Sequence, residues 1–256
     1  MTKRICLVTG AGRGIGRAVA CVLAAAGHRL ALVARTAAEL DEVQDEVRRM
    51  RAEAMTIPAD LADRHAPRQI LSAVQTAWGP VEVLVNNAGV GSSGNPKPLV
   101  DFEDDFWDHT FTLNVTAPYL LMKLALPDML RAGWGRIINI ASINARVPAL
   151  HGAAYVASKH ALAGLTKVAA REYADRGITC NAVCPGVTAT RMNDKRLEYD
   201  SQRLHKSVAQ LELEASPLGR RILPDEVAAV VAFLASDAAG AVNGQCINVC
   251  GGTVMC

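Results

Sequence analysis

The sequence predicts an α/β fold: one doubly wound domain with a seven-stranded, mostly parallel sheet and helices on both of its faces. Three observations carry this expectation. Short continuous apolar runs alternate with helix-length stretches along the whole chain, the pattern of strands buried on both sides. A glycine-rich turn, "TGAGRGIGRA", joins the first apolar run to the first helix, as it does where a parallel sheet receives a dinucleotide. The 256 residues are half apolar and carry no Gly/Ser linker or shift of composition, so residues 1–256 are expected to share one core.

The elements follow in order. "ICLVTG" reads as a buried strand, and residues 15–26 as a helix closed by Gly27. "RLALVAR" is a second strand and 37–51 an amphipathic helix; "AMTIPAD" is a short third strand, with a helix over 66–77 ending at "WGP". "VEVLVNNAG" is a fourth strand, "GSSGNPKP" a polar loop, and 104–130 one or two helices. "GRIINIAS" is the fifth strand, 153–175 a long helix and "ITCNAVCPG" the sixth strand. A helix over 224–235 and a last strand in "QCINVCGG" complete the pattern. Right-handed crossovers between parallel strands then place helices on both faces. The charged stretch 192–214 stands apart. It mixes Leu197, Tyr199, Leu204, Val208, Leu211 and Leu213 with many charges, so one side is expected to cover an apolar pocket as a substrate lid.

Charge and composition exclude several classes. Twenty-seven basic and 25 acidic side chains leave a net charge of +2 with no clustered basic face, which argues against nucleic acid as a partner. "MTKRICLVTG" enters a strand directly, and no long apolar segment follows. A signal peptide and a membrane span are therefore not expected, and a cytoplasmic location is. The seven cysteines form no C-x-x-C, and the six histidines have no ligand-like spacing. Neither a metal nor disulfides are expected, since buried cysteine behaves as a small hydrophobe.

The chemistry sits in a few short stretches. Gly10, Gly14 and Gly16 permit a tight turn that brings backbone close to a pyrophosphate at a helix N-terminus, although the G-x-G-x-x-G spacing fails at Ile15. An acid after the second strand would hold the ribose 2′-hydroxyl of NAD. Here Ala34 and Arg35 stand there, and Arg13 lies in the glycine loop. Two arginines suit a 2′-phosphate by charge and fork geometry, so NADP(H) is expected over NAD(H). Tyr155 and Lys159 lie four apart on a small-residue helix, hence on one face. They read either as a core tyrosine beside a snorkelling lysine or as a proton-transfer pair in which the ammonium lowers the phenol pKa.

Thr9-Gly10-x-x-x-Gly14-x-Gly16, Asn86-Asn87-Ala88-Gly89, Ser142 and Tyr155-x-x-x-Lys159 occur in this order and on the expected elements. The ordered set resembles the short-chain dehydrogenase/reductase family, with its Rossmann-type fold, from Arg4 to Gly252. The resemblance implies that Tyr155 is the general acid in carbonyl reduction and the base in alcohol oxidation. It implies that Lys159 holds the nicotinamide ribose, Ser142 the substrate oxygen, and Asn114 a water joining Lys159 to solvent. It places Asp60 at the adenine, with Leu61 also among the cofactor contacts, Asn87, Ala88 and Gly89 at the adenosine ribose, and Thr190 at the carboxamide, with Thr188 contributing backbone. Gly12, Ile15, Pro185 and Gly186 complete the implied cofactor contacts. His151, four residues before Tyr155, and "NVCGG" (Asn248–Gly252) resemble aromatic-polyketide ketoreductases, while "GVGSSG" replaces the Pro-Gly-Gly run that these carry after the fourth strand. His151 reads either as such a pocket residue or as a rim residue with no role.

The expected activity is NADPH-dependent reduction of a ketone, a 3-oxoacyl thioester or polyketide-like chain, with a homotetramer as the implied assembly. Two alternatives stand beside it: an alcohol or 3-hydroxy-acid dehydrogenase working oxidatively, and a non-catalytic NADP-binding sensor. The complete Asn114, Ser142, Tyr155 and Lys159 set speaks against the sensor.

Overall fold

Side chains alternate along each strand, so the sheet feeds two separate apolar layers. In the computed structural model, which describes residues 2–255, Cys6, Val8, Leu30, Leu32, Val83, Val85, Ile138 and Ile140 point to one layer. Ile5, Leu7, Ala31, Val33, Leu84 and Ile137 point to the other. The strands are β1 (Ile5–Thr9), β2 (Arg29–Ala34), β3 (Ala54–Pro58), β4 (Val83–Asn86), β5 (Gly135–Ile140), β6 (Ile178–Pro185) and β7 (Cys246–Val249). Their order is β3-β2-β1-β4-β5-β6-β7, and every pairing is parallel. The expected mostly parallel sheet is thus parallel throughout, because every connection between strands carries a helix.

Helices α1 (Gly14–Ala25), α2 (Ala37–Arg49) and α9 (Pro224–Ala235) contribute to the first layer. Helices α3 (Ala66–Trp78), α5 (Ala117–Ala132) and α6 (Ala153–Glu172) contribute to the second. The stretch 104–130 is interrupted: α4 (Asp104–Phe111) ends in a five-residue π turn, Thr112–Thr116, before α5 begins. Such turns inside helices often mark functional positions, and this one carries Asn114.

The charged stretch folds as two helices, α7 (Arg191–Leu204) and α8 (Val208–Leu213), separated at His205, whose φ of 55° ends α7. That break corrects the expected single apolar side. Leu197 and Leu211 are buried, but Leu204, Val208 and Leu213 are exposed, because the second helix restarts in a different phase.

The chain leaves β1 for β2 on one side and meets β4 on the other. Parallel sheets bind ligands at the carboxyl ends of strands flanking such a reversal, and the residues of interest gather there.

Candidate active site

The floor of the site is laced together by short polar side chains. Thr9, at the end of β1, is buried, and its hydroxyl accepts the N–H groups of Asn87 (2.9 Å) and Ala88 (3.0 Å). Asn87 Nδ2 returns bonds to the carbonyls of Thr9 (2.9 Å) and Gly10 (3.1 Å). The two turns that leave β1 and β4 are therefore one rigid unit.

Glycine is required in this unit on two counts. Gly10 has φ +64°, and a Cβ on Gly16 would lie 2.1 Å from the Gly10 carbonyl oxygen, so any side chain there would break the turn. Helix α1 begins here with no side-chain cap and no acidic residue in its first turn. Its first N–H groups and positive dipole end remain open to an anion. Arg13 and Arg35 are exposed beside this start and at the end of β2. A closed glycine cradle, an uncapped helix start and two cations fit a phosphorylated dinucleotide.

The remaining expected cofactor contacts are distributed unevenly. Gly12 is buried and Ile15 half-buried. Asp60 is exposed, and its carboxylate accepts the Ala62 N–H at 2.9 Å, holding its own turn. Leu61 follows Asp60 in the same turn. It is buried in the second apolar layer, which leaves only its backbone to face a ligand. Pro185 ends β6, the Gly186 N–H is taken by the Val249 carbonyl (3.0 Å), and the buried Thr188 donates to the Gly186 carbonyl (3.0 Å). Thr190 precedes α7 and faces the glycine loop, its Cγ2 lying 3.2 Å from where Gly14 would carry a Cβ.

The second group comes from β5, the π turn and α6. Lys159 is buried, and its Nζ donates to the Ile140 carbonyl at the end of β5 (2.8 Å) while lying 5.6 Å from the centre of the Tyr155 ring. Ser142 accepts the Asn144 N–H (3.1 Å) and stands close enough to the Tyr155 phenol to lower its pKa. Asn114 is buried and clamps Val90 from both sides, accepting its N–H (2.9 Å) and donating to its carbonyl (3.0 Å). It also donates to Ser158 at 3.0 Å. All four expected side chains thus converge on the ends of β4 and β5.

The electrostatics reverse one expectation. Desolvation raises the Tyr155 phenol above its usual range, opposed by the Ser142 hydrogen bond. The same burial lowers Lys159 to about 8. The phenol is not depressed by its neighbour, because the ammonium turns to the Ile140 carbonyl and both groups have lost water.

Sequence reasoning missed two participants, Cys184 and Ser158, and the contact between His151 and Tyr199. Cys184, on β6, lies close enough to influence both Tyr155 and Lys159, and its hydrogen bond to Cys246 together with burial keeps its thiol protonated. Ser158 supports Asn114, and Tyr199 of α7 meets His151 Nδ1 at 2.5 Å. No spacing rule links these pairs. Next to them a cavity of about 510 Å³ is lined by Lys97–Leu99 and by 148–153, just ahead of Tyr155. Among the described residues no three metal-ligating side chains gather, and no helix is long and apolar enough to cross a membrane.

Comparison with known proteins matches this arrangement. The family described as short chain dehydrogenase matches residues 4–200. The chain is 37% identical over 256 residues to a 3-oxoacyl-(acyl-carrier-protein) reductase of Staphylococcus aureus, covering 100% of this chain and 99% of that protein. It is 34% identical over 261 residues to D-beta-hydroxybutyrate dehydrogenase of Cupriavidus necator, covering 99% of each. The structure of a variant of actinorhodin polyketide ketoreductase with NADPH superposes with a TM-score of 0.93 at 36% identity, covering 98% of this chain and 97% of that one. With the fold, the ordered motifs and these matches in agreement, the chain belongs to the short-chain dehydrogenase family and is an oxidoreductase acting on CH–OH groups and the corresponding ketones.

Proposed function

We propose that this enzyme is an NADP(H)-dependent ketoreductase that turns a 3-oxoacyl thioester or polyketide-like ketone into a secondary alcohol. The observation that carries the reading is the Ser142–Tyr155–Lys159 group at the end of β5, its serine and lysine buried and its tyrosine half-buried, beside the open helix start and the two arginines. A nicotinamide held there would supply the hydride for the carbonyl carbon. Ser142 holds the carbonyl oxygen, and Tyr155 delivers the proton that completes the alcohol. A phenol raised by burial suits this direction, because it is protonated at neutral pH and hands its proton over only as negative charge develops on the substrate oxygen. Lys159 binds the nicotinamide ribose, and Ser142, which opposes the upward shift of the phenol, stabilises the phenolate left behind. Asn114 keeps the β4 turn and α6 in register, so the tyrosine and the cofactor floor stay aligned.

Arg13 and Arg35 support NADP(H) over NAD(H). The cavity beside 148–153 is where an extended acyl chain would approach, with Lys97 at its edge. Helices α7 and α8, which carry the 192–214 stretch, act as the lid of the same single domain. The molecule works as a homotetramer.

Monitoring NADPH oxidation with acyl thioesters, cyclic diketones and small aliphatic ketones tests this reading. Turnover of the thioesters or cyclic diketones is expected. Cofactor binding without turnover of any ketone or alcohol would instead favour a sensor. Turnover only of 3-hydroxy acids with the oxidised cofactor would favour the oxidative dehydrogenase.

A further inference from the structure

Thr36-Ala37-Ala38-Glu39 has the S/T-x-x-E spacing of a capping box at the start of α2. The helix does not use it: Thr36 makes no side-chain cap hydrogen bond. Glu39 Oε1 instead accepts from Arg13 Nη1 at 2.8 Å, across the mouth of the glycine loop. Gly12 makes this approach possible, since a Cβ there would stand 2.9 Å from the Glu39 Cβ. The same Oε1 lies 3.9 Å from Arg191 Nη1, at the first residue of α7. A carboxylate that forgoes its local helix cap thus stands between a phosphate-loop arginine and the first residue of the lid. Arg35 lies four residues before Glu39 and is exposed.

We propose that Glu39 is a positioning residue that sets the preference for the phosphorylated cofactor by competing with the 2′-phosphate for Arg13, and that passes its carboxylate to Arg191 when the phosphate takes that arginine. The inference rests on the NADP(H) reading above. Two anions cannot share one guanidinium without repulsion, and the phosphate carries the larger charge. The second arginine within reach accepts the displaced carboxylate, so occupancy of the 2′ site is transmitted to the first turn of α7. A cofactor lacking the phosphate leaves the Arg13–Glu39 pair in place and sends no such signal.

Dissociation constants for NADPH and NADH, measured by fluorescence titration at fixed ionic strength, test this in the wild type, in Glu39→Gln and in Arg35→Asp. Removing the competitor should tighten NADPH binding about two- to five-fold, the range of a partly exposed ion pair, and leave NADH unchanged. Hydrogen exchange supplies a second readout. In the wild type NADPH, but not NADH, should protect the start of α7, and Glu39→Gln should lose that difference. Arg35→Asp reports on the underlying reading, because it should abolish the preference for NADPH. If it does and Glu39→Gln leaves NADPH affinity unchanged or weaker, the Glu39 inference alone is overturned. Equal protection of α7 by both cofactors in the wild type overturns it as well. A wild type that prefers NADH, with Arg35→Asp silent, overturns both.

Discussion

Tyr155 carries the strongest single prediction. Tyr155→Phe keeps the ring and removes the only proton it can give, so kcat for carbonyl reduction should fall about 10²–10⁴-fold. Cofactor affinity, measured by fluorescence titration, should stay close to that of the wild type. Retained turnover would mean that another group delivers the proton. Lys159 makes a prediction about stability rather than rate. Unfolded, it keeps its proton up to about pH 10.5, whereas in the folded protein burial lowers it to about 8. The unfolded chain therefore binds more protons between those values, and stability rises with pH across that window. Lys159→Met removes the buried charge, so at pH 7 it should stabilise the cofactor-free protein by about 1–3 kcal/mol. That gain should fade towards pH 10.5 and be visible in denaturant titrations at several pH values. A variant equally less stable at every pH would show that the bond to Ile140 outweighs desolvation. The pairing of these residues was legible in their i, i+4 spacing; the upward shift of the phenol was not, because spacing carries no information about lost water.

At the scale of elements, α7 is held to the rest of the site by a few polar contacts. Arg196 donates to the Leu150 carbonyl (3.0 Å) and to Ser92 (3.4 Å), Ser93 donates to the Met192 carbonyl (3.2 Å), and Tyr199 meets His151. Leu197 is the only residue of α7 that is buried. An element with so little apolar anchoring should open locally at low cost. Arg196→Ala is expected to speed amide exchange across Arg191–Leu204 while the sheet strands are unchanged. NADPH with a substrate analogue should slow exchange there in the wild type. Exchange equally slow in all these states would mark α7 and α8 as a fixed part of the scaffold. Their existence could be seen in the sequence as one charged insertion. The break at His205 could not, since nothing in the residue types there announces a left-handed backbone.

At the scale of the whole molecule, α5 and α6 leave apolar side chains in water. Tyr119 is 41% and Val168 52% exposed, although both helices already pack on the sheet with their other side. Apolar residues on two sides of a helix suit an interface between copies, and two-fold axes through such helices close into symmetric assemblies. Light scattering should report a tetramer at micromolar concentration. Val168→Glu should shift it to smaller species, with a loss of thermal stability. A wild-type monomer, or a tetramer indifferent to this substitution, would remove that face from the assembly.

The sequence by itself determined the strand and helix order, the glycine turn, the arginines proposed for the cofactor phosphate and the four residues proposed for proton transfer. These are local features, set by hydrophobic period, by the φ that only glycine adopts easily and by side-chain chemistry at fixed spacing. Tertiary structure alone decided what those residues touch. Asn114 sits in a π turn, clamps Val90 and also reaches Ser158 of α6, Leu61 turns into the core, and Glu39 leaves its helix cap for Arg13. Each of these joins segments distant in the chain. Such contacts depend on which strand ends lie side by side and on which groups have lost their water, and both are settled only when the sheet is assembled.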